Sequence, residues 1–203
     1  MPVAPAPLLV RLNHETREHH ADADAPWHDL LALDVSRDHY IDQLIRVYGF
    51  EAPLEGALAY APDMNTLERR EHARSGHIVE DLLVLGMRPA QIAQLAQCPD
   101  VAPFGDRLSA LGWLYALERA TMLHGTLRRH LLSRIPELAR ATTYLGASEG
   151  TIASRWRDLG SILDSVATSP ESEDSIIAGA HAALASQRRW FGQPAQQSVA
   201  ERS

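Results

Sequence analysis

Three features of the sequence predict an all-α, single-domain helical bundle. Apolar side chains recur every three or four residues along most of its length, strand-type alternation is nearly missing, and no linker is long enough to separate two domains. At 203 residues and 45% hydrophobic content the chain can bury one sizeable core. Its 22% charged residues fit an ordinary globular domain.

Each helix follows from its own spacing and punctuation. After a Pro-rich start, Leu8 or Leu9, Leu12, Thr16 and His20 share one face of a first helix over about residues 8–24, closed by Pro26. Ser36 is a natural N-cap for a second helix, whose stripe is Tyr40, Ile41, Leu44, Val47 and Tyr48. Pro53 is expected to break or kink it. A third helix is expected from about Thr66 to Leu85, stopped by Gly86. Pro89 opens a short helix through Leu95, and 99–104 reads as a loop. A long helix is expected from Asp106 to Ser133, with Pro136 just beyond. Gly146 and Ser148 mark the start of another, carrying Ile152, Trp156, Leu159 and Leu163. The stretch Ser169–Glu173 reads as loop and N-cap before a last helix over Asp174–Trp190. The expected domain is 8–191, with 192–203 as a disordered tail.

Composition excludes several classes. A net charge of -7 without a basic run disfavours nucleic-acid binding. Cys98 is the only cysteine, so neither an internal disulfide nor a cysteine-rich zinc site can form. The N-terminus lacks the pattern of a signal peptide, and no apolar run reaches the roughly 18 residues of a membrane span. A cytoplasmic protein with no membrane partner is the simplest expectation. No P-loop, G-x-G-x-x-G, H-E-x-x-H or nucleophile elbow is present. Ten histidines are the compositional oddity. His14, His19, His72 and His77 read as surface residues, and Trp156 and Trp190 as core anchors.

Chemistry concentrates on the first helix. Thr16, His20 and Asp24 are spaced i, i+4, i+8 and so share one face. An acid one turn after a histidine can accept from Nδ1–H, leaving Nε2 to bind a metal. Spacing alone leaves open that His20 merely packs in the core or meets solvent.

The motif Leu12-x-x-x-Thr16-x-x-x-His20 resembles the proximal helix of the heme oxygenases. Further segments follow in the family's order. Glu80–Gly86 is similar to the D-L-x-x-L-G segment of the bacterial, bacteriophytochrome-associated members. Leu111–Glu118 is similar to their L-G-x-L-Y-V-L-E run, and Tyr144-Leu145-Gly146 with Arg155-Trp156-Arg157 to their Y-G…W-R stretch. Ala182–Trp190 resembles their final helix. The resemblance implies a heme oxygenase-like bundle that binds heme b as both substrate and cofactor, with His20 as axial iron ligand. It implies cleavage to biliverdin, CO and Fe²⁺ with O₂ and electrons from a ferredoxin or reductase. A bilin-binding phytochrome is the implied acceptor of the product. Thr16 and Asp24 are expected near the cofactor, and Arg17, Arg188 and Arg189 are expected at its propionates.

One segment departs from the family. Its distal run E-G-[SA]-T-x-G-G is here Glu118-Arg119-Ala120-Thr121-Met122-Leu123-His124. Arg119, Leu123 and His124 fill the three glycine positions, and Gly125 comes one residue late, rotated by about 100°. Thr121, Leu123 and His124 are the distal candidates. Leu123 would stand where the family presents bare backbone, and His124 would either approach the iron as a second imidazole ligand or turn sideways to pack or meet a propionate. A heme-binding protein without turnover, or a heme-free helical interaction module, is the alternative.

Overall fold

The computed structural model describes residues 6–64 and 73–193, all helix, turn and loop with no strand among them. Its helices are α1 (Pro7–Glu15), α2 (His20–His28), α3 (Arg37–Ala59), α4 (Ser75–Val84), α5 (Pro89–Ile92), α6 (Arg107–Ala120), α7 (His124–Arg134), α8 (Thr143–Gly146), α9 (Ile152–Val166) and α10 (Pro170–Phe191). The start of the expected third helix, through residue 72, and residues 194–203 of the expected tail lie outside the described residues.

Two of the expected long helices are interrupted, and the same device interrupts both. Thr16 Oγ1 donates to the Leu12 carbonyl at 2.7 Å, and a 3₁₀ turn over Arg17–His19 separates α1 from α2. Thr121 Oγ1 donates to the Glu118 carbonyl at 2.7 Å, and a 3₁₀ turn over Thr121–Leu123 separates α6 from α7. A threonine hydroxyl bonded back to the preceding turn competes with the helical ladder and bends it. Prolines, by contrast, are tolerated. Pro26 lies inside α2 instead of closing it, and Pro53 lies inside an uninterrupted α3. Buried side chains on either side, Trp27 and Leu30 in one case and Phe50, Leu54 and Leu58 in the other, anchor both segments against the loss of one backbone bond.

Caps define the remaining ends. Ser36 caps α3 in a capping box with His39, and Asp106 accepts from Ser109 N at 2.8 Å at the start of α6. Ser169 caps α10 directly, so 170–173 is helix and not loop. Gly86 ends α4 at φ +96°, the conformation its position after the last turn requires. α9 starts at Ile152, later than Gly146 and Ser148 suggest, because 143–146 forms its own short helix.

The buried side chains form two clusters. One joins Leu8, Leu12, Phe50, Leu54, Leu111, Leu114, Leu159, Leu163 and Ile176, from α1, α3, α6, α9 and α10. The other joins Trp27, Leu30, Tyr40, Leu44, Ile78, Leu82, Leu127, Leu131 and Tyr144, from α2, α3, α4, α7 and α8. α6 lies tightly along α10: a Cβ on Gly112 would stand 2.2 Å from the Ile176 carbonyl oxygen. The turn at 121–123 therefore carries the chain from one cluster to the other, and the cleft between α2 and α6 opens at their seam.

Candidate functional site

His20 begins α2, immediately after the 3₁₀ turn. Its Nε2 lies 3.0 Å from Thr16 Oγ1. Because the single Thr16 hydroxyl proton is given to the Leu12 carbonyl, Thr16 accepts from His20 Nε2–H. Thr16 is fully buried, and Tyr115 OH lies 3.4 Å from the same oxygen. Burial and the nearby Arg119 guanidinium lower the His20 pKa, so the imidazole is held neutral, the form that ligates metals.

Asp24 does not hold His20. Both its oxygens are taken by Arg119, with Nη1 and Nη2 each at 2.7 Å. This two-pronged ion pair joins α2 to the end of α6, and a guanidinium at close reach outcompetes an imidazole for a carboxylate. The space beside it, lined by Ala23, Trp27, Ala116, Ala120 and Phe191 among others, has a free volume of only about 10 Å³. A larger cleft of about 680 Å³ lies on another side of α2, beside α3 and the end of α10. His20 is not among its lining residues, and Asp22, Asp29 and Asp42 give it an acidic wall.

The distal candidates turn inward. Thr121 is buried and spends its hydroxyl on the backbone. Leu123 packs against the second cluster. His124 is 1% exposed, with its ring 4.7 Å from that of Tyr144 and 5.4 Å from that of Trp27. Among the described residues neither ring nitrogen has a hydrogen-bond partner. The His124 side chain is packed against the rings of Trp27 and Tyr144.

Burial pushes the His124 pKa from 6.5 to about 3. The unfolded chain then takes up a proton that the folded chain refuses. Stability should fall by about 1.4 kcal/mol per pH unit as pH drops from about 6.5 towards 3. His124→Leu should flatten this acid limb in urea titrations between pH 6.5 and 4.5. An unchanged slope would show that His124 titrates normally. Glu51 acts in the opposite sense: burial raises its pKa to about 7, so its contribution weakens as pH rises from 4.5 towards 7.

Glu51 belongs to a buried charge cluster behind the distal turn. Tyr144 OH donates to Glu51 at 2.6 Å. Glu118, fully buried on α6, meets Arg155 at 2.6 and 3.0 Å and Arg74 at 3.4 Å. Glu118, Tyr144 and Arg155, three of the residues that carry the family resemblance, are thereby tied together as structural residues.

The three candidate propionate arginines are not assembled. Arg17 is exposed on the 3₁₀ turn. Arg188 faces Asp22 at 3.7 Å, and Arg189 binds Asp100 at 2.6 Å, both at the surface. His19, read from sequence as a surface residue, is half-buried and bonds His181 at 2.9 Å. Its partner is 162 residues away, and no local spacing signals that pair. His77 is exposed beside Glu80, and His72 lies outside the described residues. Trp156 packs edge-on against Tyr115, and Trp190 donates to the Arg46 carbonyl at 2.8 Å.

The first helix of the bundle breaks just before His20, and the second broken helix meets it through the Asp24–Arg119 pair. The heme oxygenase family model matches residues 6–193, and the chain belongs to that family. Among solved structures it is similar to the NO- and CO-bound heme oxygenase from Neisseria meningitidis, at 23% identity and a TM-score of 0.67, over 95% of this chain and 98% of that one. No curated protein matches it.

A family member is expected to take heme, and the residues fit that group unevenly. The neutral His20 suits an iron ligand. The cleft does not admit a porphyrin in this conformation, because the Asp24–Arg119 pair spans it and about 10 Å³ remains beside the pair.

Proposed function

We propose that this chain is a heme-binding member of the heme oxygenase family that takes heme b at His20, and that its turnover is held low by the distal side chains. The observation that carries the reading is the placement of His20 at the start of α2, held by Thr16 beside the Asp24–Arg119 pair. Iron would claim His20 Nε2 in place of the Thr16 contact. Parting Asp24 from Arg119 would release both charges at the cleft. Before heme binds, Thr16 positions His20, and Asp24 is the acceptor that holds the cleft shut. Arg17 and Arg188 are the cations left for propionates; Arg189 is committed to Asp100.

In the family's reaction heme is cleaved to biliverdin, CO and Fe²⁺ with O₂ and an external electron donor, a ferredoxin or reductase. Product release to a bilin-binding phytochrome is part of the same reading. The second reading is a cytoplasmic heme-binding protein without turnover. Arg119 in the cleft and Leu123 at the distal turn favour it.

Hemin titration followed by reductant under O₂, with catalase present, separates the two. Slow or undetectable biliverdin formation is expected from the unmodified chain. Arg119→Gly with Leu123→Gly should speed hemin association and raise biliverdin formation. Two helical glycines cost roughly 1 kcal/mol each relative to alanine, so the variant should fold. Rapid turnover by the unmodified chain would reject the low-turnover reading, and failure to bind hemin at all would reject the heme reading.

A further inference from the structure

The contact between His19 and His181 is more than a packing detail. His19 ends the 3₁₀ turn that precedes His20, and His181 lies on α10. His19 Nε2 and His181 Nδ1 point at each other at 2.9 Å, with their rings nearly perpendicular. Glu18 Oε1 stands 3.6 Å from the same His19 nitrogen. One ligand atom from each of the three residues lies within 4.8 Å of the others. Both imidazoles are half-buried, while the Glu18 carboxylate is open to solvent.

We propose that Glu18, His19 and His181 form a divalent transition-metal site, distinct from the iron ligand His20. Metal–imidazole bonds of about 2.0–2.1 Å in a tetrahedral arrangement separate two ligand nitrogens by about 3.3 Å. The observed pair needs to open by only about 0.4 Å to reach that spacing. One of the two nitrogens carries the proton of the present N–H···N bond. On metal binding the donor ring moves its proton to its other ring nitrogen, so both facing nitrogens become lone-pair donors and two neutral imidazoles release no net proton. Glu18 supplies the anionic third ligand, and water can complete the set from its exposed side. Two imidazoles and a carboxylate with an open position suit Zn²⁺ or Fe²⁺ rather than Mg²⁺ or Ca²⁺. The bound ion would clamp the 3₁₀ turn onto α10 and hold the start of α2 in place.

The test uses the full chain without an affinity tag and without hemin, so it does not depend on the heme reading. Zn²⁺ is titrated calorimetrically, and Co²⁺ is followed by its visible ligand-field bands. One ion per chain is expected. His181→Gln and His19→Gln, on separate elements, should each weaken binding by about tenfold or more. Glu18→Gln should weaken it less, and His77→Gln should leave it unchanged. Circular dichroism confirms that each variant is folded. Zn²⁺ should raise the melting temperature of the unmodified chain but not of His181→Gln. Absence of stoichiometric Zn²⁺ binding, or an affinity in the His19→Gln and His181→Gln variants as high as in the unmodified chain, would overturn the site.

Discussion

His20→Ala is expected to abolish the imidazole-ligated absorption spectrum of the hemin-loaded protein while leaving its helicity unchanged. His20 is a partly buried residue at a helix start, and among the described residues its imidazole bonds only to Thr16, which keeps its own bond to the Leu12 carbonyl when the imidazole is gone. The structural cost is therefore small, and the effect falls on the iron. Magnetic circular dichroism of the ferric complex is the decisive readout. An imidazole signature that survives in His20→Ala would move the axial ligand elsewhere. Thr16→Val should keep the signature, because the contact it removes is to the Nε2 that iron takes.

The largest expected loss of stability comes from Glu118→Ala, at about 3–5 kcal/mol in reversible urea unfolding at neutral pH. Glu118 is fully buried between Arg155 and Arg74, and Arg74 is itself 2% exposed. Removing the carboxylate leaves two guanidinium groups facing each other in the interior with less compensating charge. Water cannot easily reach them, and the like charges repel. Glu118→Gln keeps the shape and some hydrogen bonds, so it should fall between the two. A loss under about 1 kcal/mol for Glu118→Ala would mean that the cluster is solvated and adds little to the fold.

The helical class was legible because apolar spacing is a local signal, and so were Ser36 as a cap and Gly86 as a stop. Helix breaks were harder to read. Proline is the obvious breaker, yet Pro26 and Pro53 sit inside helices because neighbouring side chains are buried. The actual breaks fall at Thr16 and Thr121, where a hydroxyl turns back onto the preceding turn, and many mid-helix threonines make no such bond. The ordered family motifs led correctly to the family and fold. The arrangement around His20 was not legible. Asp24 is one turn away in sequence, but Arg119, 95 residues on, claims it. The His19–His181 pair is equally non-local. Local spacing identifies candidates, whereas competition for a charge is decided by whatever the fold brings nearest.

The two separate buried clusters have a mechanical consequence. α3 contributes Leu44 and Val47 to one and Phe50, Leu54 and Leu58 to the other, so it serves as a spine shared by two rigid leaves. Parting the leaves along the seam would cost the Asp24–Arg119 bridge and the buried Arg74–Glu118 pair, while each leaf keeps its own apolar interior. The work of admitting a large flat ligand is thereby confined to a narrow strip of polar and edge contacts, and the bulk of the hydrophobic packing is spared.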